Sequence, residues 1–155
     1  MDLKQFLTPE AIILDLTATT YPEALTTMCQ LAARLLRRQL AEILEPVLER
    51  ENLGPTAVGG GVAIPHGKVP GLSEVFLTLA RIAPGAELAV DSPDGQPVKI
   101  LTLVLSPMTP TSGHLRVLAL LGRLWKTPKN LSLLLAAPDQ ETFYRLFLEL
   151  AAIAA

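Results

Sequence analysis

Val98-Lys99-Ile100-Leu101-Thr102-Leu103-Val104-Leu105-Ser106 is an almost unbroken apolar run. A second run of the same kind, Val75-Phe76-Leu77-Thr78-Leu79-Ala80-Arg81-Ile82, precedes it. Both are short and rich in leucine and β-branched residues, so both read as buried strands. Asp91-Ser92-Pro93-Asp94-Gly95 between them carries the residues of a turn.

On the N-terminal side, Ala11-Ile12-Ile13-Leu14 reads as a short strand. Thr20-x-x-Glu23 is a capping box, which predicts a helix from there to about Arg38. Its apolar positions Leu25, Met28, Cys29, Leu31, Ala32 and Leu35 form a wide stripe. A second helix is predicted over Ala41 to Asn52, stopped by Gly54 and bent at Pro46, which lacks an N–H. On the C-terminal side, Thr111 or Ser112 caps a helix running to about Lys126, and Pro128 and Asp139 each open another. Helices therefore precede and follow the buried strands. The predicted fold class is α/β, a mixed β-sheet flanked by helices on both faces, with residues 2–153 as a single domain.

The chain has 155 residues, half of them apolar, with a mean hydropathy of +0.39. Only 5% are aromatic, so aliphatic packing carries the core, and the apolar richness permits a homodimer without specifying one. The net charge of −2 provides no basic excess for nucleic acid or anionic lipid. Arg34, Arg37 and Arg38 read as the solvated face of a helix. Cys29 is the sole cysteine, which excludes an internal disulfide and a thiolate zinc site. It reads as a small buried hydrophobe in a reducing, cytoplasmic setting. No leader-like segment follows Met1, and no apolar run is long enough to insert in a membrane. Leu146 to Ala155 is apolar but short and interrupted by Glu149, and reads as a packing helix end.

The segment with chemical promise is Gly59-Gly60-Gly61-Val62-Ala63-Ile64-Pro65-His66-Gly67-Lys68. His66, one of two histidines, sits in what reads as a rigid loop between a proline and a glycine. Its flanking glycines are expected to leave backbone open to a ligand or partner. A neutral imidazole is nucleophilic near pH 7 and accepts phosphoryl groups. A P-loop fails on spacing, since five residues separate Gly61 from Gly67 and Val69 stands where Ser or Thr would hold magnesium. A metal site lacks ligands, because His66 and His114 have no third partner at a usual spacing. No metal and no cofactor is expected.

Gly61-Val62-Ala63-Ile64-Pro65-His66-Gly67-Lys68 resembles the active-site motif of the type 2 (fructose/mannitol and nitrogen-related) enzyme IIA domains of the bacterial phosphoenolpyruvate-dependent phosphotransferase system. Leu48-Glu49-Arg50-Glu51-Asn52-Leu53-Gly54, Asp94-Gly95-Gln96-Pro97-Val98 and His114-Leu115 resemble further landmarks of that family, in order, over roughly residues 2 to 150. The resemblance implies that His66 accepts a phosphoryl group from an HPr-like phosphocarrier protein. It implies that Arg50 stabilises the charge of the transferring group and that His114 is an auxiliary contact. Backbone N–H groups of Gly59 to Gly61 are expected to add donors. The chain is richer in glycine here than the family pattern, and Pro46 falls in the helix that delivers Arg50. Two roles follow from the family. One is a stand-alone nitrogen-related regulator acting on a target protein, which the His-Gly-Lys ending favours. The other is a sugar-transport IIA donating phosphate to a IIB domain. A binding module that kept the fold and lost the chemistry is a third reading, disfavoured by the joint presence of His66, Arg50 and His114.

Overall fold

The computed structural model describes residues 2–109 and 111–155. In chain order the strands and helices are β1 (Ile12–Leu16), α1 (Tyr21–Leu36), α2 (Leu40–Leu53), β2 (Ala57–Gly59), β3 (Val62–Ala63), β4 (His66–Lys68), β5 (Phe76–Ile82), β6 (Ile100–Ser106), α3 (Ser112–Trp125), α4 (Pro128–Leu135) and α5 (Gln140–Ala154). The sheet is mixed and six-stranded in the order β1-β5-β6-β3-β2, with β4 also paired to β6. β6 runs antiparallel to β5 and parallel to both β3 and β4.

The two apolar runs pair with each other, and their alternate residues feed two cores. Leu77, Leu79, Ile100 and Val104 pack with Val117, Leu121, Phe143 and Phe147 from α3 and α5. Ala80, Ile82, Leu101, Leu103 and Leu105 pack with Leu25, Met28, Ile43 and Val47 from α1 and α2. Each face of the sheet is thus covered by helices, the arrangement that the buried strands required. Arg81 is the unexpected member of the β5 run. It is buried, and its guanidinium donates to the carbonyls of Leu134, Leu135 and Ala137 at the end of α4. A cation there satisfies carbonyls that have no partner within the helix.

Helix starts follow the predicted caps. Thr20 Oγ1 accepts the Glu23 N–H at 3.3 Å, and the Glu23 carboxylate returns to the Thr19 N–H. Thr111, rather than Ser112, caps α3 through the His114 N–H, and Asp139 caps α5 through the Thr142 N–H. Cys29 is fully buried, and burial pushes its thiol up to about 12. Arg34 and Arg37 are exposed as expected. Arg38 is not simply solvated, since it donates to the Pro70 carbonyl at 2.6 Å and pairs with Glu42. Among the described residues, no helix is long and apolar enough to cross a membrane.

The segment read as a glycine-rich loop is the main correction. It forms three short strands, and His66 begins β4 on the sheet rather than lying in a loop. Two- and three-residue strands are too short to show an alternating pattern in sequence. Gly59, Gly60 and Gly61 all have positive φ, at 89°, 65° and 86°, and turn the chain between β2 and β3. The Gly60 N–H donates to Asp94 Oδ2 at 2.8 Å, so this amide is committed inside the protein rather than offered to a ligand.

Candidate functional site

His66 is placed by β4, whose residues His66, Gly67 and Lys68 pair with Val104, Leu105 and Ser106 of β6. Arg50 is placed by the last turn of α2, which runs unbroken through Pro46 to Leu53. The two elements meet closely at Gly67. A side chain there would put its Cβ 3.1 Å from the backbone nitrogen of Val47 and 3.3 Å from the carbonyl carbon of Pro46. Gly67 therefore serves packing against α2, where the sequence suggested backbone left open to a ligand.

That approach brings Arg50 Nε–H to His66 Nε2 at 3.1 Å. On its other side, the imidazole Nδ1 lies 2.9 Å from the Ile64 carbonyl oxygen. A carbonyl can only accept, so Nδ1 carries the proton and donates. Nε2 then holds the free lone pair that accepts from Arg50. The two contacts select one neutral tautomer and orient the ring. Arg50 is steadied in turn by a 2.9 Å bond from Nη1 to the Gly54 carbonyl.

The structure brings Arg50, His66 and His114 to the wall of one open depression of about 560 Å³. Pro46, Glu49, Leu53, Lys68, Ser106 and Met108 complete much of its lining. Of these, Lys68 stood inside the histidine motif and Glu49 and Leu53 inside the Leu48 to Gly54 landmark, and none carried a role there. Together the lining residues come from α2, β4, the end of β6 and the turn after it, which only the fold assembles. His114 enters from the first turn of α3. Burial, then the charges of His66 and Lys68, hold its imidazole below the ordinary histidine range. His114 Nδ1 is buried and has no hydrogen-bond partner among the described residues. The glycines of the 59–61 turn do not line this depression. Two large apolar side chains of its lining are exposed, Leu53 at 85% and Met108 at 55%.

A nucleophilic ring nitrogen, a guanidinium bonded to it and a second neutral imidazole define a histidine-centred site suited to an anionic group. The sequence matches the family described as phosphoenolpyruvate-dependent sugar phosphotransferase system, EIIA 2, over residues 5–150, and the chain belongs to that family. It is 37% identical over 144 residues to a nitrogen regulatory protein of Bradyrhizobium diazoefficiens, covering 93% of each chain. It is also 38% identical over 80 residues to a fructose-specific EIIA component of Haloferax volcanii, about half of each chain at 52% and 51%. The crystal structure of the nitrogen regulatory protein IIA-Ntr from Neisseria meningitidis superposes with a TM-score of 0.83 at 28% identity, covering 99% of both chains.

Proposed function

We propose that this chain is a phosphoryl carrier that takes a phosphoryl group on His66 Nε2 from an HPr-like phosphocarrier and acts as a nitrogen-related regulatory IIA. The observation that carries the reading is the pair of contacts on the imidazole, Arg50 Nε–H to Nε2 and Nδ1–H to the Ile64 carbonyl. In the transfer step the Nε2 lone pair attacks phosphorus in line, and the phosphorus–nitrogen bond to the donor imidazole breaks. The departing electron pair returns to the donor ring. Positive charge that builds on the His66 ring is eased by the Nδ1–H bond to the Ile64 carbonyl, and no proton needs to leave. As the new bond consumes the Nε2 lone pair, the Arg50 donors turn to the phosphoryl oxygens. Charge stabilisation and positioning then do most of the catalysis. His114, neutral at pH 7, adds a contact to the transferring group without a competing charge.

The apolar rim of Leu53 and Met108 suits a protein partner that covers the site and excludes water. A phosphoryl group brings roughly two negative charges into the centre of that rim, which changes what docks there. The regulatory role is supported by relatives matched along most of their length that are nitrogen regulatory proteins. The shorter match to a fructose-specific EIIA component supports the second reading, a transport IIA that passes phosphate to a IIB domain. Incubation with phosphoenolpyruvate, enzyme I and a competent phosphocarrier tests the proposal by intact mass. One added phosphate, acid-labile and lost in His66→Ala, is expected. An unmodified wild-type mass rejects it.

A further inference from the structure

Hydrogen bonds and short stretches of main chain link the two sides of the His66 imidazole, and a carboxylate with no role in the transfer step is bonded to them. Glu51 follows Arg50 in α2, about 100° further round the helix. Its Oε2 accepts the Thr56 N–H at 2.8 Å, and its Oε1 accepts the Thr56 hydroxyl at 2.6 Å. The Tyr21 hydroxyl donates to the same Oε1 at 3.1 Å, tying in the start of α1. Thr56 is buried, and its carbonyl accepts the Ile64 N–H at 3.0 Å. The Ile64 carbonyl in turn holds His66 Nδ1, and His66 Nε2 holds Arg50 Nε. Arg50 Nη1 donates to the carbonyl of Gly54, which the main chain joins to Thr56 through Pro55.

Glu51 thus grips the short turn from which both supports of the site depart. One support is the Gly54 carbonyl that steadies Arg50. The other is the Thr56 carbonyl that fixes Ile64 and so the His66 tautomer. A half-buried carboxylate that accepts three donors holds its geometry firmly, because charge-assisted bonds are short and strong. Its connections also polarise Tyr21, whose phenol is pushed well above its usual range, first by burial and then by the Glu51 charge. Glu51 does not line the depression that holds His66.

We infer that Glu51 is a positioning residue that aims Arg50 at His66 and fixes the reactive tautomer through Thr56. This rests on the phosphoryl-carrier reading above. Glu51→Gln keeps the shape but replaces an acceptor-only group by one with two donors, while Thr56→Val removes the hydroxyl. Each should slow phosphoryl transfer about tenfold or more, with the KM for the phosphocarrier unchanged. In Glu51→Gln the ¹⁵N-detected Arg50 Nε–H resonance should move toward that of a free guanidinium, and the His66 ring should become a mixture of tautomers. In an Arg50→Ala background, Glu51→Gln should cost much less than in the wild type, since much of its effect passes through Arg50. An unshifted Arg50 resonance, an unchanged transfer rate or an equal loss in both backgrounds overturns the inference. The resonance test reads the positioning role directly in the unphosphorylated protein. It therefore separates failure of Glu51 from failure of phosphoryl transfer itself.

Discussion

Gly67 and Val47 meet backbone to backbone: a Cβ on Gly67 would lie 3.1 Å from the Val47 nitrogen. Strand β4 can lie this close to α2 only without a side chain at that position. The contact sets the distance between His66, one residue earlier in the strand, and Arg50, one helical turn after Pro46. Gly67→Ala should therefore destabilise the fold by about 1–3 kcal/mol through overpacking against main chain that cannot yield. It should also separate Arg50 from His66. Chemical denaturation checks the first effect, and a slower phosphoryl transfer by the still-folded variant checks the second. A variant as stable and as fast as wild type would show that the contact does not set the site.

Arg50→Ala removes the donor on Nε2 and, in the proposed mechanism, the cation for the transferring group. Transfer should fall about 10²- to 10³-fold, the usual cost of losing a donor to developing charge. The fold should survive, because Arg50 is only half-buried and its other bond is to one carbonyl. Arg50→Lys keeps the charge but loses the planar fork that reaches His66 and Gly54 together, and should recover only part of the rate. Quenched-flow measurement of phosphohistidine formation gives both values.

His114 should make stability depend on pH in a defined direction. Its folded-state value lies below the ordinary histidine range, chiefly through burial. Neutral His114 is therefore tolerated, and its stabilising share is complete above the unfolded-state value near 6.5. That share is lost as pH falls from there through the lower folded-state value. The thermal midpoint of wild type should drop relative to His114→Gln between pH 7 and pH 5. Parallel curves for the two proteins would show that His114 does not titrate as its surroundings require.

Asp94 anchors the glycine turn, accepting the N–H groups of Gly60 and Gln96. These bonds hold its carboxyl below the usual carboxylate range. Asp94→Ala should loosen the hairpin, seen as faster amide exchange at Gly60 and Gln96. The phosphoryl transfer rate should stay near wild type, because the turn does not line the depression. A large loss of rate would restore the turn as a phosphate cradle.

Much of the fold is legible in the sequence because its elements are long or explicitly capped. Thr20, Thr111 and Asp139 announce their helices by local hydrogen bonding, and the β5 and β6 runs announce a doubly covered sheet by composition. The stretch around His66 is not legible in the same way. Strands of two or three residues have no period to read, and the glycines that suggest a ligand loop instead make a hairpin turn and a helix contact. His66, Arg50 and His114 stand out through their resemblance to a family, and only the fold shows that they share one depression. Glu51 leaves a faint sequence signal: a carboxylate at a helix end, with a threonine five residues on to receive it. Met108 leaves none, since an apolar side chain in a turn gains meaning only from what surrounds it, and Leu53 stands in a marked landmark without a role of its own.

The most direct test of the account is which nitrogen of His66 carries the phosphoryl group. Two-dimensional ¹H–¹⁵N correlation of the imidazole, recorded before and after phosphorylation with ¹⁵N-labelled protein, reads it. The account predicts a protonated Nδ1 in the unmodified protein and a phosphorylated Nε2 afterwards, with Nδ1 keeping its proton. Phosphate on Nδ1, or an unmodified protein with the proton on Nε2, would contradict it.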